Sequence, residues 1–350
     1  MPLVTDPVEA KEILQEAREA KVALANICPE HNRGIEAVLE ATRRYGEKIG
    51  RADLPLILSN TGTYPDYPQL VHMTGVRDVV FGLNIMISAL KSFLSDTGPY
   101  SAIRVITHLD HGMRDTDKEI LENRLDDLAM VMYDCSHDPF DENIKHTAEY
   151  VERVKGKALV EGAVDEIAVS GSGEVKNEPT TVEMAKRFMS ETGCDLIVAN
   201  LGSEHRAAET EVCYRGDRAR EITAALGRVI VLHGTSSLQK EELSKLKDDG
   251  VLKVNVWTRF ERVGSRALVQ SVLRDLGNIL SADEIEELQK EGFLGNRYQQ
   301  DDYVNDVCYG QVKARMDHMC EQRRREAWVD AAKEEMEGYL DCFGYDRFAK

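Results

Sequence analysis

Three histidines and an aspartate carry the reactive chemistry of this 350-residue chain. His111, His205 and His233 each stand just after a short β-branched run, and Asp110 precedes the first of them. Three imidazoles converging with carboxylates nearby build an open catalytic metal site, because three protein ligands leave a coordination position for substrate. Zn2+ is the expected ion, and the same donors accept other divalent metals. Neighbours along a strand face opposite sides, so Asp110 and His111 address one site only if the strand ends or bends there, which Gly112 allows. A carboxylate beside a Lewis acid is placed to move a proton on a substrate hydroxyl. The flexible loop Gly171-Ser-Gly-Glu174 offers a second acid/base in Glu174, with Glu166 and Glu178 as alternatives.

The elements that must position these groups alternate regularly. Strand-like runs cover Val22–Ile27, Leu54–Asn60, Arg104–Asp110, Met130–Cys135, Ala158–Val164, Asp195–Gly202, Val229–Gly234 and Val251–Thr258. Helical patterns lie between them at 32–50, 77–94, 116–128, 141–154, 180–192, 209–226 and 237–249, with Asn32 as a candidate cap. Strands feeding helices in strict order demand a parallel sheet. Eight such units in roughly 250 residues is the size of a (β/α)8 TIM barrel, and no GxGxxG follows the first strand as a dinucleotide-binding open sheet would require. A helix at Asp6–Ala20 precedes the first strand and is expected to cover the barrel floor. The expected domains are the barrel over 1–278 and a helical carboxyl-terminal extension over 279–350.

Catalytic groups of such barrels sit at the carboxyl ends of strands. Of nine histidines, His108, His111, His205 and His233 fall there, together with Ser59, Asp134, Glu161 and Asn255. Composition narrows the partners. Lys+Arg number 44 against 62 Asp+Glu, a net charge of −18, which repels nucleic acid and anionic membranes. No apolar run approaches the ~20 residues of a membrane span. Seven cysteines without a CxxC pair, and an amino terminus unlike a signal peptide, lead to the expectation of a reduced, cytoplasmic protein.

Several segments resemble the class II, metal-dependent ketose-bisphosphate aldolases. His108-Leu-Asp-His111-Gly is similar to that family's H-x-D-H, and Asp134-Cys-Ser-His-Asp-Pro-Phe-Asp-Glu-Asn143-Ile to its D-x-S-H-x-P-F-x-x-N-I. Leu201-Gly-Ser-Glu-His205, Val231-Leu-His-Gly234 and Lys253-Val-Asn255-Val-Trp-Thr258 resemble its I-G-T-x-H, V-L-H-G and K-I-N-x-x-T, in the same order. The resemblance implies that His111, His205 and His233 hold the metal and that Asp110 shuttles a proton on the C4 hydroxyl. It implies Ser59 and Asn255 at the enediolate end, Gly234, Ser236 and Thr258 in anion binding, a loop Glu for reprotonation, and Asp134 and Glu161 behind the ligands or at an alternate metal position. It also implies a sugar or sugar-phosphate substrate and a homodimer or homotetramer.

The departures concern the anion and the alternate metal. The family's V-E-x-E appears as Val160-Glu-Gly-Ala163, so its second Glu is lost. The phosphate loop Gly234-Thr-Ser-Ser-Leu238 lacks the later glycine, and D-T-[DE] has become Trp257-Thr258-Arg259. Arg259 suits a phosphate, sulfonate or carboxylate, or faces solvent. The function expected is aldol cleavage of a ketose phosphate or related ketose; a sugar-acid epimerase or isomerase, and a barrel without chemistry, are the alternatives.

Overall fold

Strands buried on both faces read as near-continuous apolar runs, and the eight runs of the sequence all become strands of one closed parallel sheet. The computed structural model describes residues 2–65, 67–166, 179–203, 214–295 and 322–349. It divides into two units, Met1–Phe260 with Lys333–Lys350, and Glu261–Ala332.

The first unit is a (β/α)8 barrel. Its strands are β1 (Leu3–Val4), β2 (Leu24–Ile27), β3 (Pro55–Thr61), β4 (Arg104–Met113), β5 (Met130–Asp134), β6 (Leu159–Ala163), β7 (Leu196–Val198), β8 (Ile230–Leu232) and β9 (Val251–Val256). Strands β2 to β9 pair in sequence order, and β9 pairs back onto β2 to close the ring. The ninth, β1, was not foreseen, since two residues carry no periodicity; it pairs with Val105 and Ile106 of β4, and β5 takes over from His108 onward.

Around the ring run α1 (Pro7–Ala20), α2 (Asn32–Ile49), α3 (Gln69–His72), α4 (Val79–Phe93), α5 (Lys118–Asn123), α6 (Phe140–Val154), α7 (Val182–Thr192), α8 (Gly216–Leu226), α9 (Lys240–Leu243) and α10 (Leu246–Asp249). The cap of α2 is His31 and not Asn32: the His31 Nδ1 accepts the Gly34 N–H at 3.0 Å, and Asn32 is already helical. The helix expected over 237–249 is two short helices, broken at Ser244 and Lys245, and a tight turn over 235–237 precedes them with the Thr235 hydroxyl on the Asn255 carbonyl at 2.7 Å. Helix α1 covers the end where strands begin, with the Arg18 Nε donating to the Arg228 carbonyl at 3.0 Å.

The carboxyl-terminal stretch returns to that same end. Tyr345 is fully buried; its hydroxyl accepts the Ala25 N–H at 3.0 Å and donates to the Pro55 carbonyl at 2.9 Å, tying β2 to the start of β3. The Ala23 N–H donates to the Phe343 carbonyl at 3.1 Å.

The second unit holds most of α11 (Thr258–Ile279), α12 (Ala282–Lys290) and the first half of α13 (Gln322–Phe343). Position 278, where the sequence suggests the barrel to end, lies inside α11. Gly264 packs against the Trp328 ring so closely that a Cβ would sit 2.3 Å from it, and Arg323 lies 3.6 Å from Asp275.

Tyr345→Phe leaves the Ala25 N–H and the Pro55 carbonyl buried without a partner. It is expected to lower stability by about 1–3 kcal/mol, read as a lower urea midpoint with an unchanged far-ultraviolet spectrum.

Candidate active site

The site is built on an irregularity in β4. Between Leu109 and Gly112 the strand advances three residues while its partner β5 advances two, from Val131 to Tyr133, so one extra residue bulges. The backbone at His111 is left-handed, with φ of +45°, a conformation costing a non-glycine residue about 1–3 kcal/mol. The strand therefore does not stop at Asp110, as the sequence suggests, and the bend sits on His111 and not on Gly112. Gly112 is needed for space: a Cβ there would lie 2.8 Å from the Met132 carbonyl. The bulge breaks the alternation of side chains, and Asp110 and His111 both line one cavity.

Around them the barrel supplies partners from different strands. The His111 Nδ1 lies 2.6 Å from Asp134 Oδ2, at the end of β5, and Asp134 Oδ1 accepts the Ser136 N–H at 3.0 Å and hydroxyl at 2.7 Å. Burial by itself disfavours the His111 charge, but Asp110 and Asp134 outweigh it and raise the imidazole above its ordinary range. Asp134 is driven the other way: burial opposes its charge, yet His111 and the Ser136 donors hold it well below the usual carboxylate range. With Asp134 accepting from Nδ1, the ring presents Nε2 to the cavity. His233, the residue after β8, stands edge-on to His111 with ring centroids 4.9 Å apart. Its Nε2 is 3.8 Å from Asp110 Oδ1, and burial pushes it down to about 3, so it is a neutral donor.

One atom each of Asp110, His111 and His233 lie within 4.8 Å of one another, and all three side chains are buried. Two buried imidazoles, the His111 ring oriented by Asp134 and a carboxylate beside them, suit a divalent cation. His205, expected as a third imidazole, and Glu174 lie outside the described residues.

Asp110 is held from two sides. The Asn255 Nδ2 donates to its Oδ1 at 3.0 Å, and the Asn255 Oδ1 accepts from the Asn26 Nδ2 at 2.7 Å, so the amide is fixed. The Cys28 Sγ lies 3.7 Å from Oδ2 and 3.2 Å from the Ser59 hydroxyl. Ser59 is thus placed behind Cys28. Below the cluster, Lys253 and Glu161 are fully buried and joined at 2.6 Å. The Glu161 Oε1 points to His233 Nε2 at 3.7 Å, and His108 Nε2 is 3.8 Å from the other oxygen.

Above the cluster lies a cavity open to solvent. Gly234, Ser236 and Thr258 line one part of it. Arg259 does not line it, and its Nε is 2.7 Å from the Glu335 carboxylate. A smaller cavity that shares His111 and Tyr64 with the first is lined also by Asp134, Ala163, Asp165 and Glu166, where Glu166 lies 3.2 Å from the His137 Nδ1. Asn26, Cys28, Tyr64, Tyr67 and Trp257 also belong to the site, although none stands in a motif that marks it in the sequence. A polar Asn26 in a strand buried on both faces was the available signal.

Residues 8–333 match the family described as fructose-bisphosphate aldolase class-II. This chain belongs to that family. As a class II aldolase it is 28% identical over 254 residues to a 6-phospho-5-dehydro-2-deoxy-D-gluconate aldolase of Bacillus licheniformis, covering 72% of this chain and 79% of the relative. It is also 28% identical over 284 residues to a fructose-bisphosphate aldolase of Staphylococcus epidermidis, covering 79% and 87%. A crystal structure of a Campylobacter jejuni fructose-bisphosphate aldolase superposes with a TM-score of 0.70 at 17% identity, over 97% of this chain and 95% of that one, which shows a shared barrel fold. Among the described residues no helix is long and apolar enough to cross a membrane.

Because Asp134 orients His111, Asp134→Ala is expected to weaken Zn2+ binding by about 10–100-fold, measured by competition with a chromogenic chelator.

Proposed function

We propose that this aldolase cleaves a ketose phosphate between C3 and C4 and catalyses the reverse condensation, using a divalent metal held by His111, His233 and His205. The observation that carries this reading is the junction of a fixed carboxylate, Asp110, with two buried imidazoles at one cavity. When bound, the cation supplies the positive charge that offsets negative charge developing on the ketose oxygens, so no Schiff-base lysine is required. Lys253 is in any case committed to Glu161.

The protein's own groups account for the protons. Asp110 takes the proton of the C4 hydroxyl as the C3–C4 bond breaks; the C4–O bond becomes the carbonyl of the departing aldehyde. The bonding pair passes to the other fragment, leaving an enediolate, and a loop glutamate then protonates C3. Glu174 is the expected donor, and Glu166 at the rim of the smaller cavity is the described alternative. Asn255 and Asn26 keep Asp110 aimed. Gly234, with φ of +70°, turns the chain into the short turn Thr235–Ser237, whose first N–H groups have no acceptor within the turn and suit a phosphate oxygen.

The purified protein is expected to carry about one zinc-like ion per chain by elemental mass spectrometry, and His233→Ala to lose it. Stripping the metal with dipicolinate should abolish ketose-phosphate cleavage, and added Zn2+ should restore it. Asp110→Asn is expected to lower kcat by ~10²–10⁴-fold, read from triose release. Turnover that survives metal removal, or interconversion of ketoses with no triose product, would overturn the proposal.

A further inference from the structure

The reaction frees an aldehyde, and the side of the cavity that receives it follows from Asp110. Its Oδ1 is taken by Asn255, and its Oδ2 faces Cys28 on the β2 rim. The hydroxyl that gives up its proton becomes the aldehyde oxygen, so the aldehyde fragment lies toward the rim of β2 and β3, away from the Gly234–Ser236 turn. That rim is aromatic. Tyr67 and Trp257 stand with ring centroids 4.7 Å apart at 36°, and both line the cavity. Their polar atoms turn away to one carboxylate: the Trp257 Nε1 donates to Glu30 Oε1, and the Tyr67 hydroxyl donates to Glu30 Oε2 at 3.1 Å. The loop under Tyr67 is pinned by Gln69, whose Oε1 accepts the Thr61 N–H at 2.9 Å and whose N–H donates to Thr61 Oγ1 at 3.0 Å.

Glu30 is the acid of this rim, and the His72 imidazole stands edge-on to Tyr67 with ring centroids 5.0 Å apart. No described lining residue of the cavity is Lys or Arg, and Glu30 makes no ion pair among the described residues. Lys253 and Arg259, the basic residues flanking Asn255 and Trp257, are held by Glu161 and Glu335. A phosphate brought against two rings backed by a carboxylate loses solvation and meets like charge, whereas the C–H face of a hydroxylated or deoxygenated carbon chain packs on aromatic rings without either cost.

We infer that the aldehyde fragment is uncharged, stacked on Tyr67 and Trp257, and that the substrate is a ketose with its single anion at the enediolate end. This rests on the aldolase reading above. Trp257 and Tyr67 then select the substrate, and Glu30 selects against an anionic aldehyde.

The test separates the two layers. Proton exchange at C3 of dihydroxyacetone phosphate in deuterated water, followed by NMR on the zinc-loaded protein, needs no aldehyde; its absence would overturn the aldolase reading and this inference with it. Where exchange occurs, condensation of dihydroxyacetone phosphate is compared with glyceraldehyde and with glyceraldehyde 3-phosphate. The expected result is a kcat/KM at least about 10-fold higher for glyceraldehyde, with Glu30→Gln narrowing that ratio by about fivefold or more and Trp257→Ala raising the KM for glyceraldehyde. Preference for the phosphorylated aldehyde, or a ratio indifferent to Glu30→Gln, would overturn the inference while leaving the aldolase reading intact.

Discussion

The hydrogen bond between His111 and Asp134 holds in place a backbone that would otherwise relax. His111 sits at φ of +45°, where a side chain with a Cβ is strained, at the extra residue of the β4 bulge. Asp134 grips the ring at 2.6 Å from the neighbouring strand, and Ser136 fixes Asp134 in turn. What the bulge achieves is parity: it places two consecutive residues, an acid and an imidazole, on one side of a strand whose geometry would separate them. Asp110 thereby stands where His111 and His233 converge.

Beneath this cluster the barrel interior holds charge instead of hydrocarbon. Lys253 and Glu161 form a fully buried pair, and such a pair gains little net stability because desolvation consumes most of the Coulombic attraction. Its geometry is more telling than its energy. One Glu161 oxygen is bound to the lysine and the other faces His233, so the floor of the site carries a carboxylate of fixed direction. Ala163, where the family has its second Glu, lines the smaller cavity beside it, and an acidic donor is missing from that position.

The rim carries one of the departures from the family pattern. Trp257 occupies the place of an aspartate and turns toward Tyr67 and Glu30, joining the ends of β9, β2 and β3 into one wall. The neighbouring Arg259, the residue best suited by type to bind an anion, is drawn out to Glu335. The turn at Gly234 and the side chains of Ser236 and Thr258 line the cavity in its place.

By itself the sequence determined the barrel and the sequence-local half of the site. Eight β-branched runs separated by amphipathic stretches admit one closed parallel sheet, and Asp110, His111 and His233 are legible because polar residues at the ends of such runs break a pattern set by burial. Asn26 breaks it in the same way within Leu24–Ile27, yet a single amide has no partner in a linear reading. Its role appears only when closure of the ring brings β2 beside β9 and sets Asn26 against Asn255, 229 positions apart. Tertiary structure alone decided the bulge, since left-handed backbone at His111 is imposed by contacts with β5 and not by local preference. It also decided the fate of Arg259 and the aromatic wall, because where a long side chain points depends on which opposite charge or ring the fold brings within reach.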